Sequence, residues 1–116
     1  MVHGLLLTEL NLNSNICEGN TMKPVTKTLH AFGTTTWTLN DKYHREDGPA
    51  IVFSNGERRW YINGKLHRED GPAIEYANGR KYWYINGKIH REDGPAVEDS
   101  VGTKYWYKNG NLYRED

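Results

Sequence analysis

Apolar and polar residues alternate along much of this chain in short bursts, each closed by a glycine. In 58 to 62 (RRWYI), Arg58, Trp60 and Ile62 fall on one side of an extended backbone and Arg59 and Tyr61 on the other, because side chains alternate along a strand. The pattern returns with Lys81, Trp83 and Ile85 opposite Tyr82 and Tyr84, then with Lys104, Trp106 and Lys108 opposite Tyr105 and Tyr107. Apolar residues here never hold helical spacing, and the frequent glycines disfavour helix further.

The bursts belong to tandem copies: GPAIVFSNGERRWYINGKLHRED (48 to 70), GPAIEYANGRKYWYINGKIHRED (71 to 93) and GPAVEDSVGTKYWYKNGNLYRED (94 to 116), a period of 23 residues. Upstream, GTTTWTLNDKYHRED (33 to 47) closes a degenerate first unit, 22 to 47. Trp37, Trp60, Trp83 and Trp106 share one position of the repeat. Asn-Gly pairs at Asn55, Asn63, Asn78, Asn86 and Asn109 predict two-residue type I′ turns, which need positive φ at both central residues.

Each unit is thus predicted as a meander: a strand over 50 to 54, a turn, a second strand over 57 to 62, another turn, and a short third segment through Leu66. Stacked units predict an all-β fold, an elongated and twisted antiparallel sheet of tandem β-hairpin repeats. The tryptophan column, with Ile51, Phe53, Ile62, Leu66, Ile74, Tyr76, Ile85, Ile89, Val97 and Leu112, is expected to form the thin core face.

A chain of 116 residues is at most one small domain. Fifteen basic residues balance fifteen acidic ones, which removes the field that steers proteins to nucleic acid or anionic membrane. Cys17 stands alone and can form no internal disulfide, and residues 1 to 10 lack a basic start and a long apolar run. The chain reads as soluble and cytoplasmic. Residues 1 to 21 show neither repeat nor alternation, and the codons of Glu18 and Gly19 can hold a ribosome-binding sequence just before Met22. They are expected to be a disordered tail or the product of an upstream mis-start, with the repeat domain over 22 to 116.

The period, the NGKLH and NGKIH stretches at 63 to 67 and 86 to 90, and the aromatic cluster before them resemble MORN repeats, most of all the MORN-variant repeats of bacterial, phage and large-virus proteins. The resemblance covers 33 to 116. It implies a non-catalytic β-hairpin array used for protein contacts or dimerisation, in some cases for phospholipid binding or as an antitoxin; for a viral protein the setting would be the host cytoplasm. Where a MORN unit follows the histidine with Gly-x-Gly, this chain has Arg-Glu-Asp-Gly-Pro-Ala.

That run, HREDGPA, occurs at 44 to 50, 67 to 73 and 90 to 96, and it holds the ingredients of acid-base chemistry. Catalysis needs one site whose groups are driven to different pKa values, whereas equivalent loops repeat one environment. His44, Arg45, Glu46, His67, Arg68, Glu69, His90, Arg91 and Glu92 are therefore read as scaffold and as a repeated surface. Asp-Gly-Pro makes the bend, and the arginine of one loop is expected to pair with Glu or Asp of the next. Units three strands apart would hold their histidines about 14 Å from one another, too far to share a metal, so neither metal nor cofactor is expected.

Arg59, Tyr61, Tyr82, Tyr84, Tyr105 and Tyr107 fall on the face opposite the tryptophans, and Tyr with Arg is what protein-binding surfaces favour. The leading expectation is a protein-interaction module, plausible as a phage or viral inhibitor of a host factor, with homodimerisation through an open sheet edge. The alternatives are sequestration of a nucleotide or second messenger by the loop arginines, and peripheral phospholipid binding. Nucleic acid would need a positive groove.

Overall fold

A computed structural model describes residues 10 to 18 and 21 to 115, with side chains from Val25 onward. The fold is all-β, and its strands pair antiparallel throughout. Among the described residues there is no α-helix, only a 3-10 turn at Ala31–Gly33.

Two long strands come first, β1 (Leu10–Glu18) and β2 (Thr21–Leu29), paired from Leu10 opposite Leu29 to Glu18 opposite Thr21. The expected tail over 1 to 21 lies outside the described residues at 1 to 9 and 19 to 20; its remainder is β1 and the first residue of β2. The first unit adds β3 (Thr35–Leu39) and β4 (Lys42–Tyr43). The second has β5 (Ile51–Val52), β6 (Arg58–Arg59), β7 (Tyr61–Ile62) and β8 (Lys65–Leu66). The third repeats it with β9 (Ile74–Glu75), β10 (Lys81–Tyr82), β11 (Tyr84–Ile85) and β12 (Lys88–Ile89). The last has β13 (Val97–Glu98), β14 (Lys104–Lys108) and β15 (Asn111–Glu115). The main sheet runs β1-β2-β3-β5-β6-β9-β10-β13-β14-β15, while β7-β8 and β11-β12 are separate hairpins.

In the two middle units the predicted second strand is therefore divided, and tryptophan divides it; in the last unit β14 runs unbroken through Trp106. The Trp60 N–H donates to the Ala73 carbonyl of the next unit (2.8 Å), while the Trp60 carbonyl accepts from His67 N–H (3.1 Å) in its own hairpin. Trp83 does the same with Ala96 and His90. Only two strands of each middle unit enter the main sheet, so these units are spaced by about 10 Å and not by about 14 Å.

The hairpin turns carry positive φ at both central residues: 49° and 81° at Asn63-Gly64, 48° and 83° at Asn86-Gly87, 50° and 85° at Asn109-Gly110. These are the type I′ turns expected. The turns at Asn55 and Asn78 differ, because there only the glycine is positive, at 96°. Three residues separate Phe53 from Glu57, whose carbonyl accepts from Phe53 N–H at 2.9 Å, so a glycine in the left-handed region closes the longer loop.

That extra residue also moves the expected core. Directly opposed residues share a face, and the register sets Ile51 against Arg59, Arg59 against Ile74, Ile74 against Tyr82, and Val97 against Tyr82 and Tyr105. Ile51, Ile74 and Val97, all buried, thus lie on the tyrosine face and not with the tryptophans. Phe53 and Tyr76 go with them, Phe53 under Arg59 (5.6 Å to the ring centroid) and Tyr76 edge-on to Tyr82 (5.7 Å). The tryptophans are only half-buried and Leu112 is 45% exposed. Ala50, Ala73 and Ala96, the last residue of each HREDGPA, are 0% exposed. The sheet is 17 Å across its thin dimension, and among the described residues no second sheet or helix layer packs over the indoles, which stay half-buried.

The candidate functional site, a row of grooves between HRED loops

The β7-β8 hairpin folds Arg68 back over Trp60, with its guanidinium carbon 3.9 Å from the indole centroid. Arg45 covers Trp37 (3.9 Å), Arg91 covers Trp83 (4.1 Å) and Arg114 covers Trp106 (4.2 Å). In the loops the same arginine closes its own bend. Arg68 Nε donates to Asp70 (3.0 Å) and Nη1 donates to the Pro72 carbonyl (3.1 Å) and to Glu75 (3.2 Å). Arg45 and Arg91 make the equivalent bonds to Asp47 and Pro49 and to Asp93, Pro95 and Glu98. The expected pairing of an arginine with the next loop's carboxylates does not form: each arginine takes the aspartate of its own loop. The glycine of the motif follows from this. A Cβ on Gly48, Gly71 or Gly94 would stand 2.8 Å from the guanidinium carbon.

The loop histidines join neighbouring units. Nδ1 of His44, His67 and His90 accepts the backbone N–H of Asn63, Asn86 and Asn109, at 2.9, 3.0 and 3.0 Å. The opposite nitrogen faces the glutamate two residues on: His67 Nε2 to Glu69 at 3.1 Å, His90 Nε2 to Glu92 at 2.6 Å, and His44 Nε2 to Glu46 at 3.4 Å. His44 is fully buried and the other two are half-buried. Among the described residues no group of three or more His, Cys, Asp or Glu is gathered to hold a metal.

Between successive loops lie two like grooves. One, of about 670 Å³, is lined by Arg45, Glu46, Asp47, Arg68, Glu69 and Asp70, with Trp60, Ile62 and His67 between. The next, of about 640 Å³, repeats it with Trp83, Ile85 and His90, and loop 68 to 70 walls both. Beside them the sheet carries a ladder of alternating charge, Arg58 opposite Glu75 opposite Lys81 opposite Glu98 opposite Lys104. Arg58 and Glu75 close to 2.9 Å. Glu75 and Glu98, which tie the loop arginines to the sheet, are residues the sequence reading missed; their signal is their place opposite basic residues, legible only with the register.

On the other face Arg59, Tyr61, Tyr82 and Tyr84 gather with Tyr76, Phe53 and Arg80, all half-buried. Burial opposes the charge on Arg59, but Glu57 at 2.7 Å and Tyr61 more than offset it and hold the guanidinium protonated. Burial pushes the Tyr84 phenol upward, and neighbouring Tyr76 and Tyr82 add to the shift while Arg59 opposes it. Tyr105 and Tyr107 lie one unit further along on β14, also half-buried. Tyr61 also meets Tyr43, with the rings tilted by 45° and their centroids 5.2 Å apart.

No family model matches the chain, and no curated protein or solved structure is similar enough to match it.

Proposed function

We propose that this chain is a non-catalytic repeat module that binds a protein partner through the row of HRED grooves. The observation that carries this is the commitment of the polar groups: each loop arginine is held by a tryptophan, an aspartate and a proline carbonyl, and each histidine by a neighbouring backbone N–H. What the loops still offer outward is shape and carboxylate charge, repeated from unit to unit. Aromatic floors with polar rims suit protein recognition. Sequestration of a nucleotide fits less well, because the arginines that would meet phosphate are engaged and the rims are acidic. The finer reading, a phage or viral inhibitor or antitoxin-like protein acting on a host protein, rests on the resemblance to MORN-variant repeats.

The test is affinity capture from the source cells with the wild-type chain and a Glu69→Lys variant of unchanged circular dichroism. A stoichiometric protein held by the wild type and lost by the variant is expected. A nucleotide among the heat-released small molecules, with no protein retained, contradicts the proposal.

A further inference from the structure

The proposal of a protein partner leaves its chemistry open, and the grooves narrow it. In each groove two arginines stand against four carboxylates, a surplus of two negative charges. The arginines are turned inward onto tryptophan, whereas the carboxylates face out: Glu69 is 81% and Asp70 89% exposed. A cationic occupant is favoured, and one that also covers Trp60, Ile62, Trp83 and Ile85.

The chain itself supplies an example. Lys108 occupies the repeat position of Ile62 and Ile85, and its ammonium reaches back to Glu92 of the preceding loop at 3.8 Å while lying 5.6 Å from the Tyr113 ring centroid. A lysine thus already sits between a loop glutamate and an aromatic ring in the last unit. Ile62 and Ile85 leave the equivalent place beside Glu46 and Glu69 to something else.

Spacing then selects the occupant's backbone. The grooves repeat every two strands, about 10 Å. A β-strand brings every third residue to alternate sides. A polyproline II helix has three residues per turn and rises about 3.1 Å per residue, so every third side chain points the same way at about 9 Å intervals. Aromatic-lined grooves also accept that backbone. Resting on the reading of a protein-binding module, we infer that the groove row takes an extended, polyproline-II-like protein segment with a lysine or arginine at every third residue, one cation per groove.

The test uses a fluorescent peptide of four Lys-Pro-Pro triplets, read by anisotropy against the full chain. Saturable binding is expected, weakened by about tenfold in a Glu46→Gln/Glu69→Gln variant and reduced by salt. A peptide of the same composition with adjacent lysines should bind more weakly. Lys108→Ile, which restores the residue of the other units, removes the ammonium beside Glu92 and should tighten binding of the triplet peptide. No saturable binding, equal binding of both peptides, or preference for a phosphate-bearing single-stranded DNA overturns the inference. Should a partner captured from cells still depend on Glu69 while the peptides fail, the protein-binding reading stands and only its cationic, three-residue form falls.

Discussion

The backbone N–H of Asn63 donates to Nδ1 of His44 across 2.9 Å, between residues 19 apart in the chain. An amide N–H can only donate, so Nδ1 is the accepting nitrogen and the imidazole proton sits on Nε2, facing Glu46. The left-handed turn at Asn63-Gly64 points that N–H outward, and the preceding unit satisfies it. Gly64 N–H is met in the same way by the Tyr43 carbonyl at 2.8 Å, and Arg45 N–H by the Tyr61 carbonyl at 3.1 Å. Three bonds thus tie each hairpin to its neighbour, which is why a unit this small need not be stable alone.

The arginine-glycine contact predicts a double-mutant cycle. Gly71→Ala drives a Cβ into the guanidinium of Arg68, which is pinned by Trp60, Asp70 and Pro72 and cannot swing aside freely. The expected cost is about 1–3 kcal/mol by urea unfolding, most of it absent in an Arg68→Ala background. Strictly additive effects of the two substitutions would show that the contact does not constrain the glycine.

The last unit predicts a rescue. In the two middle units Asn55 and Asn78 accept the N–H of Glu57 and Arg80, at 2.9 and 3.0 Å. Val101 replaces that asparagine, and Asp99 accepts the equivalent N–H of Thr103 (2.9 Å) together with that of Val101 (3.0 Å). Asp99→Ala should lower the melting temperature, and adding Val101→Asn should recover part of the loss.

Asp99 also has a pH signature. The Thr103 N–H holds its carboxyl below the ordinary 3.8; desolvation opposes this, and the Val101 N–H adds to the lowering. A depressed folded value gives stability that is present above the unfolded value and lost as pH falls through the folded one. Asp99→Asn should flatten the acid limb of the stability profile below about pH 4; an unchanged limb would contradict the assignment.

On the tyrosine face the sign reverses. Burial raises the Tyr84 phenol above 10.0, so the fold favours its neutral form. Stability is fully present below the unfolded value and declines as pH rises through the folded one. Tyr84→Phe should make alkaline unfolding less steep and remove from the ultraviolet titration a phenol that ionises above 10.0. A titration that keeps this component would place the shift on another tyrosine.

The repeat, the antiparallel class and the type I′ hairpins were legible because their signals are local: Asn-Gly tolerates two positive φ values in a row, and the tryptophans recur with the period. The faces were not. Whether Ile51 opposes Arg59 or Trp60 depends on one residue in the turn at Ser54 to Gly56, and a shift of one exchanges the faces. The Arg68 stack on Trp60 needs the hairpin between them to close, and the His44 bond to Asn63 crosses a whole unit. Such contacts have no short-range pattern. The carboxylate-rimmed grooves were legible only as a repeated surface, without the inward turn of the arginines that gives them their charge.

The central claim, that the histidine of HREDGPA is a joint between units, is tested most directly by amide hydrogen exchange in His67→Ala. Loss of a hydrogen bond worth about 1 kcal/mol should speed exchange of the Asn86 amide by roughly fivefold, while Asn63 and Asn109, held by His44 and His90, keep their protection. An Asn86 amide that exchanges no faster in the variant than in the wild type contradicts it.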